Sequence, residues 1–400
     1  MTQGTALVVG ASHAGAQVVA GLRQQGWSGR VVLIGDEAVL PYHRPPLSKA
    51  YLSGKSAIGE LAIRKPDFYA KQEIELLDAH VESIERAERR LVMADGRSVS
   101  YDKLALCTGG RARLLPVPGA DLPGVHYLRT FADVEQIRES AQPGCHAVIV
   151  GGGYIGLETA ASLLALGLDV TVLEAAERVQ MRVTAPEVSA FYERIHREAG
   201  VTIRTGALVE AMTGEDRVRE VQLAGGERLR ADLVVIGVGI EPNTELAAAA
   251  GLVVDDGVVI DDNARTSDTD IVAAGDCTSH WMTRYGRRIR LESVPSAGEQ
   301  AKAAAASMCG KEKTIAGLPW FWSDQYDLKL QIAGLSAGYD EILLSGDPTL
   351  DRDFTCFYLR EQRLIAADCV NRPRDFMRSK QKITEGLEVD RAELLQIAAD

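Results

Sequence analysis

Gly151, Gly153 and Gly156 stand in the spacing G-x-G-x-x-G, directly after the β-branched run Val148–Val150. That spacing suits a strand-to-helix turn that cradles a dinucleotide pyrophosphate. The first glycine allows the tight turn and the second lets backbone approach the phosphates. The third lets the helix pack closely on the strand. The helical stretch Ile155–Leu166 follows, and its N-terminus offers unused N–H donors and a positive dipole end to an anion. A second apolar strand, Val170–Leu173, closes on Glu174, 23 positions after Gly151. A carboxylate there accepts hydrogen bonds from an adenine-ribose diol.

Nearly the same unit opens the chain. Ala6–Val9 reads as a strand, Gly10–Gly15 as the turn, Val18–Leu22 as helix and Val31–Ile34 as the second strand, ending in Asp36 and Glu37. Ser12 replaces the second glycine, and its small hydroxyl can donate to a phosphate. Asp36 is preferred over Glu37 as the ribose ligand. Two dinucleotide units on one chain predict two dinucleotides. The chemistry that needs both is hydride transfer from a nicotinamide to a flavin.

Other chemistries find little support. The 400 residues are 46% apolar and carry a net charge of -12, which argues against general nucleic-acid binding. The longest apolar stretch, around Ile155–Leu168, contains Glu158 and is too polar for a membrane span. Met1–Thr5 runs straight into the first buried strand, so no signal peptide is read and a cytoplasmic protein is expected. The six cysteines are scattered with no C-x-x-C, and no metal-ligand spacing occurs among Cys and His. Disulfide-reducing flavoenzymes carry a close cysteine pair, yet residues 41–49 after the first unit contain no sulfur. Each cysteine is expected to be a small buried apolar residue.

The stretches between the motifs must position them. Residues 41–53 form a Pro-rich loop holding Arg44 and Lys49, cations facing either a pyrophosphate or the pyrimidine end of a flavin, or solvent. A helix is expected around Asp67–Gln72, a half-buried strand over Ala79–Ile84, and a buried strand Leu104–Cys107 ending at Thr108 and Gly109. Pro116, Pro118, Gly119, Pro123 and Gly124 mark a domain crossing. Pro186–Ala199 reads as an amphipathic helix with Val188, Phe191 and Ile195 on one face. An antiparallel meander to Gly226 follows, then a buried strand from Leu233 to Gly239. Thr266–Asp276 is a strand ending in Gly-Asp, where the acid suits a polyol hydroxyl. A helix starts at Pro295, its N-terminus available to an electron-rich ring. The last 85 or so residues form another domain, with aromatics at 320–326, strands at Lys329–Ile332, Glu341–Leu344 and Phe354–Leu359, and a closing helix.

Five stretches, taken together, carry a resemblance over the whole chain: Pro45–Leu52, Val150–Glu158, Thr266–Asp276, Glu292–Pro295 and Pro319–Gln325. By them the chain resembles the FAD-dependent NADH:ferredoxin reductases of bacterial oxygenase and cytochrome P450 systems, the putidaredoxin reductase group. It is more distantly similar to rubredoxin reductases, monodehydroascorbate reductase and apoptosis-inducing factor. The resemblance implies an α/β, glutathione-reductase-like fold with two Rossmann-type dinucleotide-binding domains and a C-terminal α+β domain. Residues 1–112 and 243–316 would form the FAD-binding domain, 113–242 the NADH-binding domain and 317–400 the C-terminal interface domain.

It also implies roles. Gly10, Ala14, Gly15 and Asp36 would hold the FAD diphosphate and adenosine, with Val81 at the adenine end. Arg44, Lys49, Thr108, Gly109 and Arg129 would contact the flavin nucleotide, Asp276 the ribityl chain and Val294 the pyrimidine edge. Gly151, Gly153, Tyr154, Ile155, Gly156, Glu174 and Gly239 would bind NADH, with Tyr154 moving aside as nicotinamide arrives. Lys49 paired with Glu158 would serve hydride transfer. Glu174 disfavours the 2′-phosphate of NADPH, although Arg178 is close in sequence. The acceptor implied is a [2Fe–2S] ferredoxin; members of the family are often monomers, and the sequence carries no decisive interface signal. Ferredoxins are acidic, so a basic patch is needed, either Arg360–Lys382, with seven cations against three acids, or Arg287, Arg288 and Arg290. Trp320 or Trp322 is either an electron conduit or a packing residue. A rubredoxin or quinone acceptor, an oxidase or peroxidase, and an NADH-sensing flavoprotein are the alternatives.

Overall fold

The computed structural model describes residues 3–386 and 388–397. The chain forms two compact units, one made of Met1–His43, Ile58–Arg111 and Ile240–Gly317, the other of Arg44–Ala57, Ala112–Gly239 and Leu318–Asp400.

In the first unit five short apolar strands lie parallel in the order Ile271–Ala273, Lys103–Leu106, Thr5–Val9, Arg30–Gly35 and Ile74–Asp78. The first four of these are buried on both faces, which explains their near-continuous apolar content, whereas the edge strand Ile74–Asp78 is largely exposed. The helices His13–Gln25 and Val294–Met308 pack together beside this sheet. Their approach is close, since a Cβ on Gly21 would stand 2.7 Å from the Ala305 Cβ. The expected helix forms over Pro66–Lys71, and the expected alternating strand begins at Val81 and ends at Glu85. Proline at the second position of Val294–Met308 suits a helix start, because its missing N–H has no intrahelical acceptor there.

The second unit repeats the parallel arrangement in the order Thr202–Arg204, Asp169–Leu173, His146–Val150, Leu233–Ile236 and Val125–Tyr127. The expected meander is the antiparallel trio Val209–Thr213, Glu220–Leu223 and Arg228–Arg230. Helix Pro186–Ala199 buries Val188, Phe191, Tyr192 and Ile195 on one face, and also buries His196. The C-terminal part is a five-stranded antiparallel sheet ordered Trp320–Gln325, Leu328–Gly334, Arg363–Val370, Phe354–Arg360 and Glu341–Ser345. Two of these strands, the aromatic stretch Trp320–Gln325 and Arg363–Val370, go beyond the sequence expectation. The second escapes a pattern search because it is buried nearly throughout and interrupted by Asp368, so it shows no alternation. Helix Pro373–Glu385 packs on this sheet, followed by Arg391–Ile397.

The Pro-rich segment Arg44–Ala57 belongs to the second unit although its neighbours in sequence belong to the first. It forms a single 3-10 turn, Pro45–Ser48, pinned where Ser162 Oγ donates to the Ser48 carbonyl at 2.7 Å and Arg44 donates to the Arg129 carbonyl at 2.8 Å. Among the described residues no helix is long and apolar enough to cross a membrane.

Candidate functional site

In the second unit the strand His146–Val150 ends at Gly151, with φ +113°, and the helix Tyr154–Ala165 begins three residues later. A Cβ on Gly151 would lie 2.4 Å from the Gly237 carbonyl oxygen, and one on Gly156 would lie 2.0 Å from that of Gly151. Both glycines are therefore required by the packing of the chain itself. Gly153 is different. Its φ of -78° is open to any residue, and nothing lies within 4 Å of where its Cβ would be. As N-cap it supplies no side-chain acceptor, and no acid occupies the first turn. The bare backbone and the unanswered N–H groups of this helix start fit a pyrophosphate.

Glu174 sits at the end of the neighbouring strand, where its carboxylate accepts from Gly152 N–H at 2.7 Å and from Ala176 N–H at 2.8 Å. The negative charge is thus fixed beside the turn. Arg178 is directed elsewhere, donating to Ser189 Oγ at 2.5 Å and to the Met181 carbonyl at 3.2 Å. Gly239, at φ +106°, accepts from Arg113 N–H through its carbonyl. Ile155 is partly exposed on the helix.

The first unit shows the same construction. A Cβ on Gly10 would lie 2.0 Å from the Cys107 carbonyl oxygen, and one on Gly15 would lie 2.0 Å from that of Gly10. Ser12 is the N-cap of the following helix. A pocket of about 320 Å³ opens at the end of strand Arg30–Gly35, lined by Ala11, Gly35, Asp36, Glu37, Pro41 and Tyr42 among others. Glu37 accepts from the Tyr42 hydroxyl at 2.5 Å, while Asp36 lies 3.0 Å from His80 Nδ1. Asp276 follows Gly275, which abuts Ala14: a Cβ on Gly275 would stand 3.1 Å from the Ala14 Cβ. Gln300 holds this turn by accepting from Gly275 N–H at 2.7 Å and Thr278 Oγ at 2.9 Å. Thr108 and Gly109 are tied to Asn243 by three hydrogen bonds, one from the Thr108 hydroxyl to the Asn243 carbonyl. Val81 is a buried strand residue, and Val294 opens its helix behind the N-cap Ser293. A second glycine turn, a helix start with no acid in its first turn, and an adjoining pocket fit a second dinucleotide. His13 and His43, with ring nitrogens 3.2 Å apart at this helix start, drew no notice in the sequence. Burial and the Arg64 charge lower the His43 pKa.

The most concentrated polar arrangement surrounds Glu158, one turn after Tyr154 on the same helix face. Glu158 Oε2 accepts from Lys49 Nζ and from Ser48 Oγ, each at 2.6 Å, and Oε1 accepts from Ser323 Oγ at 2.6 Å. The Glu158 side chain is 1% exposed and that of Lys49 21%. A carboxylate so deeply buried must be answered at both oxygens, and here it is. Lys49 Nζ also reaches the Pro45 carbonyl at 3.1 Å. The Tyr154 ring lies against Phe321, centroids 5.1 Å apart. Burial raises the Tyr154 pKa well above its ordinary value, so its hydroxyl stays neutral. Lys49 and Glu158 were expected as a pair, whereas Ser48 and Ser323 were missed. Ser48 adjoins Lys49 in sequence, but nothing marks Ser323.

The two basic stretches differ. Arg290 is matched by Asp256 and Glu292, and Arg288 lies 3.8 Å from Asp255. On helix Pro373–Glu385, Arg374 and Arg378 are exposed and flank the exposed Met377. Arg372 pairs with Asp353, and Lys380 lies over the Trp320 ring. Trp320 also packs on Trp322 and Phe376, which makes it part of the C-terminal core in this structure. All six cysteines are free, and five are buried. Burial pushes the thiols of Cys107, Cys277, Cys356 and Cys369 upward, away from the reactive thiolate.

Residues 5–301 match the family described as pyridine nucleotide-disulphide oxidoreductase, and residues 320–400 match the reductase C-terminal family. Among curated relatives, putidaredoxin reductase CamA of Pseudomonas putida is 49% identical over 96% of this chain and 92% of its own. A ferredoxin–NAD(P)+ reductase of Sphingomonas sp is 41% identical over 94% of this chain and 92% of its own. Among solved structures, the covalent putidaredoxin reductase–putidaredoxin complex superposes with a TM-score of 0.95 at 47% identity, covering 98% of this chain and 96% of that one. The chain belongs to the pyridine nucleotide-disulphide oxidoreductase family, and its C-terminal part to the reductase C-terminal family.

Proposed function

We propose that this protein is a flavoprotein ferredoxin reductase that takes a hydride from NADH onto FAD. It passes the electrons singly to a [2Fe–2S] ferredoxin serving a cytochrome P450 or another oxygenase. The observation that carries this reading is the pair of glycine turns, each followed by a helix with no acid in its first turn, on a chain whose cysteines are free and mostly buried. Bound FAD supplies the conversion between two-electron and one-electron chemistry.

Residues 1–112 and 243–316 bind FAD, 113–242 bind NADH, and 317–400 face the acceptor. Gly10, Ala14, Gly15, Asp36, Val81, Thr108, Gly109, Asp276 and Val294 of the first unit hold FAD, together with Arg44, Lys49 and Arg129. Gly151, Gly153, Tyr154, Ile155, Gly156, Glu174 and Gly239 hold the nicotinamide nucleotide. Lys49 is the cation that answers charge developing on the acceptor of the hydride, and Glu158 keeps it aimed. Tyr154, neutral and stacked rather than hydrogen-bonded into place, yields its position to the nicotinamide. NADH is preferred because Glu174 fixes a negative charge where a 2′-phosphate would stand and Arg178 is committed to Ser189 and Met181.

The test is anaerobic stopped-flow of the yellow holoprotein, first with NADH and then with a [2Fe–2S] ferredoxin. Fast bleaching followed by fast ferredoxin reduction is expected. Bleaching without transfer to any iron–sulfur protein refutes the acceptor, and slow bleaching refutes the reductase reading.

A further inference from the structure

Glu158 is the inner end of a line of hydrogen bonds that runs through the second unit to its surface. Ser323 Oγ lies 2.6 Å from Glu158 Oε1 and 3.2 Å from Gln325 Nε2. Gln325 Oε1 lies 2.8 Å from His196 Nε2, and His196 Nδ1 lies 2.9 Å from the Tyr326 hydroxyl. Ser323, Gln325 and His196 are buried to 0–1% exposure, whereas Tyr326 is 39% exposed.

The direction of every bond follows from its inner end. A carboxylate only accepts, so Ser323 spends its single O–H on Glu158 and its oxygen must accept the Gln325 amide N–H. The amide then shows its oxygen to His196, which must carry its proton on Nε2. Nδ1 is left as an acceptor for the Tyr326 O–H. All four donors point toward Glu158. Burial lowers the His196 pKa, in keeping with a neutral ring.

The backbone is arranged to make this line. Phe321, Ser323 and Gln325 alternate along one strand and share a face. They meet in turn Tyr154, Glu158 and His196. Tyr326, at φ +56°, bends back so that its ring lies 5.0 Å from that of His196. Strain at a non-glycine residue persists only where surrounding contacts enforce it.

We propose that Ser323, Gln325 and His196 are positioning residues for the Lys49–Glu158 pair. The line clamps Oε1, so that Oε2 stays aimed at Lys49 and Ser48. This rests on the reading of Lys49 and Glu158 as the pair that serves hydride transfer. Without the Ser323 hydroxyl, Oε1 is buried with no donor, and the carboxylate turns to find one at the expense of Lys49.

Two measurements on the holoprotein test the proposal. In protein labelled with 15N-histidine, long-range 1H–15N correlation reads the His196 tautomer, with His196→Phe identifying its signal among the seven histidines. The Nε2–H tautomer is expected in the wild type, giving way to a mixture in Ser323→Ala, where Gln325 is free to turn. In stopped-flow, Ser323→Ala lowers the limiting rate of flavin bleaching by NADH about tenfold, the loss of one bond to a charged group, with KM unchanged. Ser323→Thr keeps the hydroxyl and recovers most of the rate. An Nδ1–H tautomer in the wild type overturns the proposal. So does an unchanged rate in Ser323→Ala, or equal losses in the Ala and Thr variants, which would mark a packing defect. Neither measurement involves a ferredoxin, so failure to reduce one bears on the proposed function and not on this line.

Discussion

Replacing Gly153 by alanine separates the demands of the ligand from those of the fold. The new Cβ meets no atom within 4 Å, and the backbone at φ -78° and ψ -178° is ordinary for alanine. Alanine is a poorer N-cap than glycine, but it has less freedom to lose on folding. The two effects offset each other to within about 0.5 kcal/mol. Thermal melting of the apoprotein should therefore hardly move. The methyl instead stands where the nucleotide pyrophosphate must approach the helix start. Losing one backbone bond to a charged group costs about 1.5–3 kcal/mol, a ten- to hundredfold rise in the dissociation constant for NADH. Titration of flavin bleaching against NADH concentration measures it. Gly156→Ala is the control with the opposite expectation: its Cβ would lie 2.0 Å from the Gly151 carbonyl oxygen, so helix and strand must part. That overpacking costs about 1–3 kcal/mol of stability. The reasoning fails if Gly153→Ala melts as low as Gly156→Ala, or if it binds NADH as tightly as the wild type.

Burial raises the Asp368 pKa to about 6, against 3.8 in the unfolded chain, so the folded protein holds a proton there that the unfolded chain releases. The resulting stability is present at acid pH and is lost as pH rises from about 4 to 6, by up to about 3 kcal/mol. Asp368→Asn, which keeps an acceptor for Thr184 and Tyr358, should abolish that loss; parallel melting curves of the two proteins across this range would contradict it. Glu174→Gln removes the charge and keeps one acceptor oxygen, for either Gly152 or Ala176 but not both, and should raise the use of NADPH relative to NADH at least about tenfold, read from the two KM values. Reversing Arg374 and Arg378 together to glutamate should slow ferredoxin reduction about tenfold at low ionic strength, the difference closing as salt is added. A wild-type rate indifferent to salt would remove this helix as the steering surface.

The two glycine turns were legible because their sequence signature is local. Strand, glycines, helix and terminal acid all lie within about 30 residues, although the groups that exclude a Cβ at Gly10 and Gly151 are the distant Cys107 and Gly237 carbonyls and Gly153 meets no such demand. Strands such as Val148–Val150 and Leu104–Leu106 announce themselves by unbroken apolar runs, and helix Pro186–Ala199 by its apolar stripe. The Lys49–Glu158 pair was accessible only through resemblance, for the two residues are 109 positions apart and neither carries a local signal. Ser323 and His196 were beyond reach for the same reason. Their roles come from strand pairing in the C-terminal sheet, which sets Phe321, Ser323 and Gln325 on one face, and from the packing of that face on helices Tyr154–Ala165 and Pro186–Ala199. Segment Arg44–Ala57 joins the second unit because its polar groups find their partners there, not because of its place in the chain. The basic clusters looked alike as strings of letters. Folding set acids beside Arg288 and Arg290 and placed Arg374 and Arg378 on an exposed helix face, since burial and pairing depend on distances that sequence order does not contain.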